Sequence, residues 1–264
     1  MENMTTTIDA LARIPDLEGA PVAEKTEWEV RVELAACYRL VHHFGMTDLI
    51  FTHISARVPG RHDQFLINPY GLTFDEVTAS SLVKVDLEGN ILDDSPYTVN
   101  KAGFTIHSAV HMARPDVECV LHTHTRAGEA VSALACGLLP ISQHALQFYN
   151  RVAYHDYEGI ALDLDERARL VADLGDKRVM ILRNHGLLTA GRTIPEAFGL
   201  MFNLNRACEV QIAAQSTGAP LVIPPPEICE KTARQFEQGG RPSGHRAWPA
   251  LLRLLDRECP EYKS

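Results

Sequence analysis

Two histidines separated by a single residue close an apolar run, Val117-Glu118-Cys119-Val120-Leu121-His122-Thr123-His124, and a later apolar run closes with Asn184-His185-Gly186. Alternate side chains of a strand share a face, so His122 and His124 project together from α-carbons roughly 6 to 7 Å apart. Two imidazoles at that spacing can converge on one cation. A third at the mouth of another buried strand completes the three-nitrogen set of a catalytic zinc, which keeps one position open for water or substrate. An H-x-H pair also arises as two strand histidines bonded to backbone or water, and the pattern alone leaves both readings open.

The composition suits a globular enzyme. The 264 residues are 45% hydrophobic and 22% charged, enough for one large core, and a single main domain is expected. A net charge of −9 argues against a nucleic-acid or anionic-membrane partner, either of which calls for a basic patch. No apolar stretch reaches the ~18 residues of a membrane span, and the N-terminus lacks a basic segment followed by an apolar one, so a cytoplasmic protein is expected. Six scattered cysteines with no C-x-x-C pair read as reduced core residues.

The elements that must position the histidines follow from periodicity and turn signals. Residues 1–21, with Pro15 and Pro21, read as an N-terminal arm, and 22–218 as the main domain. Trp28, Val32, Ala35, Ala36, Leu40 and Phe44 fall at helical spacing before Gly45. Short strands are predicted at 49–58, 64–68 and 81–85, separated by Pro-Gly and Gly-Asn turn signals. Helices follow at 104–113, 127–135 and 164–174, with strands before His122 and at 178–182. A long helix spans 194–216, opened by Thr193 with Pro195 in its first turn. Residues 219–264 contain Pro224-Pro225-Pro226 and Gly239-Gly240, and read as a wrapping tail with little regular structure. Strands alternating with helices predict a three-layer α/β/α sandwich with a mixed central sheet.

The segments Asn68-Pro69-Tyr70-Gly71-Leu72, Ala102-Gly103-Phe104-Thr105-Ile106-His107, His122-Thr123-His124-Thr125, Ala153-Tyr154-His155-Asp156-Tyr157 and Arg183-Asn184-His185-Gly186 closely resemble the class II aldolase/adducin family, the adducin head domain most of all. The resemblance implies that family's α/β/α fold, a homotetramer with active sites at subunit boundaries, and a small-molecule substrate. It maps the aldolase metal ligands onto His122, His124 and His185, holding zinc or else manganese, cobalt or iron. The glutamate that serves the sugar-phosphate aldolases as ligand and proton acceptor corresponds to Gly103. Their phosphate-binding serine pair corresponds to Lys101 and Ala102, and an asparagine of the early turn to His53. His53, Gly71 and Lys101 are therefore expected to bind a substrate other than a standard sugar phosphate. His144 stands near the aldolases' acid tyrosine, and Tyr154 and His155 form a second titratable pair; these three are the expected proton-transfer groups. The implied function is a metal-dependent carbon–carbon lyase of aldolase or decarboxylase type. The alternative is a non-catalytic, adducin-like oligomeric module.

Overall fold

A capping box starts the first helix, α1 (Glu27–His43): the Thr26 hydroxyl accepts the Glu29 N–H at 3.3 Å, and the Glu29 carboxylate accepts the Thr26 N–H at 2.7 Å. Its inner face, including Leu34, Cys37, Tyr38 and Val41, is fully buried. The next strand is shorter than its sequence predicts. β1 spans His53–Arg57, because Leu49 and Thr52 adopt left-handed φ values of 48° and 69° that fold 48–52 into a tight turn. That conformation is uncommon for any non-glycine residue and a genuine outlier for a β-branched threonine. The computed structural model describes residues 25–159, 165–237 and 244–264; the expected N-terminal arm and Gly239 to Pro242 lie outside them.

The chain continues through β2 (Gln64–Ile67), β3 (Val83–Asp86), α2 (Lys101–Ala113), β4 (Cys119–Thr123), α3 (Arg126–Ser132), α4 (Gln143–Leu146), β5 (Val152–His155), α5 (Glu166–Leu174), β6 (Val179–Leu182), β7 (Gly186–Gly191) and α6 (Ile194–Gln215). The seven strands form one sheet in the order β3-β2-β1-β4-β7-β6-β5, antiparallel except for the β5–β6 pair. The mixed α/β architecture expected from the sequence is thus present. β5 and β7 are additions to the predicted elements. Gly186–Gly191 begins and ends in glycine, which weakens its strand signal.

Alternation splits the sheet between two cores. Ile54, Leu121, Ile181 and Leu187 point into the core shared with α1 and α6, while Val120, Met180 and Leu188 meet Ile106 and Val110 of α2 and Leu170 of α5. His122, two residues from Val120, therefore faces the α2 layer. Arg57 ties that layer to the sheet. Its buried guanidinium donates to the carbonyls of Val117 at 2.9 Å, His62 at 2.8 Å and Arg114 at 3.1 Å, and also to that of His111 near the end of α2.

The tail departs from expectation. It carries α7 (Pro226–Glu237), α8 (Trp248–Glu258) and a closing 3₁₀ turn at Pro260–Lys263. Pro226 and Pro249 stand in the first turns of these helices, where the missing N–H is no loss, so the prolines mark helix starts. Cys229, Ala233, Trp248 and Leu255 are buried by them. Four of the six cysteines are buried as expected, whereas Cys136 is exposed and Cys259 intermediate. No helix among the described residues is long and apolar enough to cross a membrane.

Candidate metal centre

His122 lies on β4, and His124 is the first residue past the end of that strand, immediately before Thr125. The Thr125 hydroxyl caps α3 by accepting the Gly128 N–H at 3.1 Å, so the chain turns from strand to helix directly beyond His124. His185 comes from the three-residue turn between β6 and β7, where Asn184 takes the left-handed conformation at φ 55°. The three rings meet with centroids 4.7 Å apart for His122–His124, 4.7 Å for His122–His185 and 4.9 Å for His124–His185. One nitrogen from each lies within 4.8 Å of the others. Gly186 makes the meeting possible, since a β-carbon there would fall 2.4 Å from the Thr123 carbonyl oxygen and press on both neighbouring rings.

The partners of the outer nitrogens fix the tautomers. His122 Nδ1 is 2.8 Å from the Leu187 carbonyl, and His124 Nδ1 is 2.9 Å from the Asp48 carboxylate. Both partners only accept, so each Nδ1 carries its hydrogen, and Nε2 is the nitrogen of each ring left to present a lone pair to a cation. These two Nε2 atoms face one another at 2.8 Å. Two lone pairs at that distance repel unless a cation lies against them. A proton on His122 is disfavoured near neutrality, because burial first, and the neighbouring His185 and His124 second, hold its imidazole well below the ordinary 6.5. His185 is pushed down to about 4, again chiefly by burial. Zinc–nitrogen bonds of about 2.0–2.1 Å set nitrogens about 3.3 Å apart in a tetrahedron, so the donor set fits a divalent ion with small ring shifts.

A cavity of about 430 Å³ opens on the three histidines and is lined also by Thr52, His53, Gly103, His107, Tyr70 and Tyr157. His53 sits on β1 opposite His122 and is pushed down to about 3, by burial and then by His124 and His185. Its ring lies against Gly103; a β-carbon at that position would fall 2.3 Å from it. Behind it the Ser55 hydroxyl stands 2.7 Å from His107 Nδ1 and 2.8 Å from His111 Nε2. A larger recess of about 560 Å³ includes Arg151, Arg178 and Arg192, but each of these is in an ion pair, with Glu230, Asp116 and Glu196. The convergent nitrogens, and not volume, select the histidine cavity.

The other candidate residues stand apart. Gly71 is next to the cavity-lining Tyr70 without lining it, and Lys101 is exposed at the start of α2. His144 is exposed on α4. The Tyr154 hydroxyl accepts the Leu138 N–H at 3.0 Å, and its ring lies under the Arg183 guanidinium at 4.3 Å. His155 is buried, with Nδ1 2.7 Å from the Asp173 carboxylate and Nε2 3.4 Å from that of Glu166. Asp48 carried no signal in the sequence, being a lone turn acid far along the chain from His124.

A family model described as the class II aldolase and adducin N-terminal domain matches residues 32–212. The chain belongs to the class II aldolase/adducin family. Within that family it is similar to a crystal structure of an aldolase II superfamily protein from Pseudomonas syringae, with 58% identity, a TM-score of 0.86, and 90% of this chain and 96% of that one covered. It is 44% identical to alpha-adducin of Rattus norvegicus over 97% of this chain, which spans 37% of that protein. An L-fuculose 1-phosphate aldolase from Glaciozyma antarctica shares 29% identity at a TM-score of 0.82, over 93% of this chain and 97% of that one.

Proposed function

We propose that the protein is a metal-dependent carbon–carbon lyase, of aldolase or decarboxylase type, acting on a small carbonyl or hydroxy-acid substrate. His122, His124 and His185 hold one divalent ion, with zinc the best match to three imidazoles and an open position, and manganese, cobalt or iron as alternatives. The observation that carries this reading is the pair of Nε2 atoms facing each other at 2.8 Å, with Nδ1 of each ring engaged from behind and His185 converging on them. When bound, the ion supplies Lewis acidity to the negative charge that develops on a substrate carbonyl oxygen.

The protein's own groups orient and exclude. The Leu187 carbonyl and Asp48 hold the rings of His122 and His124, and Ser55 holds His107 so that its Nε2 is the nitrogen left for the cavity. Gly103 offers no carboxylate, and the His53 ring takes up its side-chain space, which disfavours standard sugar-phosphate aldolase chemistry. His144 is exposed and outside the cavity of its own subunit, so a role for it in proton transfer requires a neighbouring subunit of the proposed homotetramer. Tyr154 and His155 act by shaping the Arg183–His185 turn: Tyr154 lies under Arg183, and His155 lies on the strand paired with β6. The 44% identity to alpha-adducin supports a second reading, a non-catalytic oligomeric module. Activity profiling of metal-supplemented protein with hydroxy-keto acids, alone and with aldehyde acceptors, tests the choice. Turnover that falls on chelation supports the lyase; no turnover of any member by a metal-replete protein supports the module.

A further inference from the structure

The cavity beside the three histidines carries buried hydrogen-bonding atoms that nothing among the described residues satisfies. The Thr52 hydroxyl, both ring nitrogens of His53 and Nε2 of His107 have no partner among the described residues, and all three residues line the cavity. Their exposures are 1%, 5% and 0%. Buried polar groups are normally paired, so an unpaired set gathered on one wall marks a surface shaped for a polar ligand. Two backbone features build that wall. Thr52 is held at φ 69°, which brings its side chain to the cavity directly before β1, and Gly103 leaves room for the His53 ring, which any side chain at 103 would displace.

The charge of the wall decides its ligand. Among the described residues no lysine or arginine lines the cavity, and Lys101, two residues from Gly103, is exposed and outside it. A phosphate or carboxylate taken out of water into such a place needs cationic or multiple N–H donors. A hydroxyl both donates and accepts, which matches a neutral His53 ring with one donor and one acceptor, and the single free nitrogen of His107, which donates or accepts according to its tautomer.

We propose that the end of the substrate remote from the metal is an uncharged, hydroxyl-bearing group received by Thr52, His53 and His107, so that the ligand is a short hydroxy-carbonyl compound and not its phosphate ester. This rests on the metal reading above only for the carbonyl end.

Calorimetric titration of the full-length, metal-loaded protein with dihydroxyacetone and with dihydroxyacetone phosphate tests it, because the two share the hydroxy-ketone and differ only at one end. Dihydroxyacetone is expected to bind at least tenfold more tightly. Equal or tighter binding of the phosphate ester, or saturable binding of neither, overturns the proposal. Thr52→Val and Gly103→Ala, checked for folding by circular dichroism and for metal by elemental analysis, are each expected to weaken dihydroxyacetone at least threefold with metal content unchanged. Unaltered binding in both variants overturns the assignment of the wall. Selective binding of dihydroxyacetone that survives metal removal and still falls in Thr52→Val upholds the wall and removes the metal reading. Lost selectivity with metal in place removes the wall alone.

Discussion

His122, on β4, and His124, one residue past its end, converge but are secured differently. His122 is buried and donates to a carbonyl of the paired strand β7, whereas His124 donates to Asp48 on a turn that is 40% exposed at that side chain. The second tether is therefore the more easily removed. Asp48→Ala frees the His124 ring to rotate, and partners of this kind typically contribute 10- to 100-fold in metal affinity. Competition against a chromogenic chelator is expected to show a loss in that range; wild-type affinity in the variant would mean that Asp48 does not orient the ring. The H-x-H spacing was legible because strand alternation needs no knowledge of the rest of the fold. Asp48 was not, since only the left-handed turn at Leu49 and Thr52 carries it back to the sheet. The fit of the His53 ring over Gly103 was likewise hidden, because it depends on how α2 packs against β1.

The packing of α2 on β1 rests on a buried set of neutral imidazoles. Ser55 has one hydroxyl hydrogen, so it donates to one of His107 and His111 and accepts an N–H from the other. Burial first, and the neighbouring imidazoles of His53 and His111 second, hold His107 well below its ordinary 6.5; burial, and then the Arg57 guanidinium, push His111 down to about 3. Below pH 6.5 the unfolded chain takes up protons at these two positions while the folded chain does not. Their contribution to stability is complete above pH 6.5 and is lost as pH falls towards 3, by at most about 1.4 kcal/mol per pH unit for each histidine. Urea melts in chelator, which removes any metal contribution, are expected to show a midpoint that falls steadily from pH 7 to pH 5. A flat midpoint over that range would contradict the buried-neutral assignment. Among elements, the long helices were legible, because periodicity agrees with the Gly45 stop signal at α1 and with the Thr193 cap at α6. The short strand β5, the glycine-bounded β7 and the proline-led α7 and α8 were not, since tertiary packing and not local pattern gives them their structure.

At the scale of the whole molecule, metal-ligating nitrogens and unpaired polar groups of the described residues coincide in the histidine cavity, and the chain's family resemblance makes the subunit boundary the expected edge of that site. The proposed homotetramer is expected to appear by light scattering at micromolar concentration; a stable monomer would contradict it. Metal-loaded protein is also expected to cleave fuculose 1-phosphate negligibly, since a missing acid/base group costs ~10²- to 10⁴-fold; turnover above ~1 s⁻¹, within the common range for enzymes, would contradict that. The central claim is that three imidazoles hold one ion, and elemental analysis of the purified protein beside its His124→Ala variant tests it most directly. The account predicts close to one zinc, manganese, cobalt or iron per chain in the parent and a sharp fall in the variant, because two imidazoles hold such an ion far less well than three. A folded parent protein that stays metal-free after incubation with these ions, or a variant that keeps the full metal content, would contradict it.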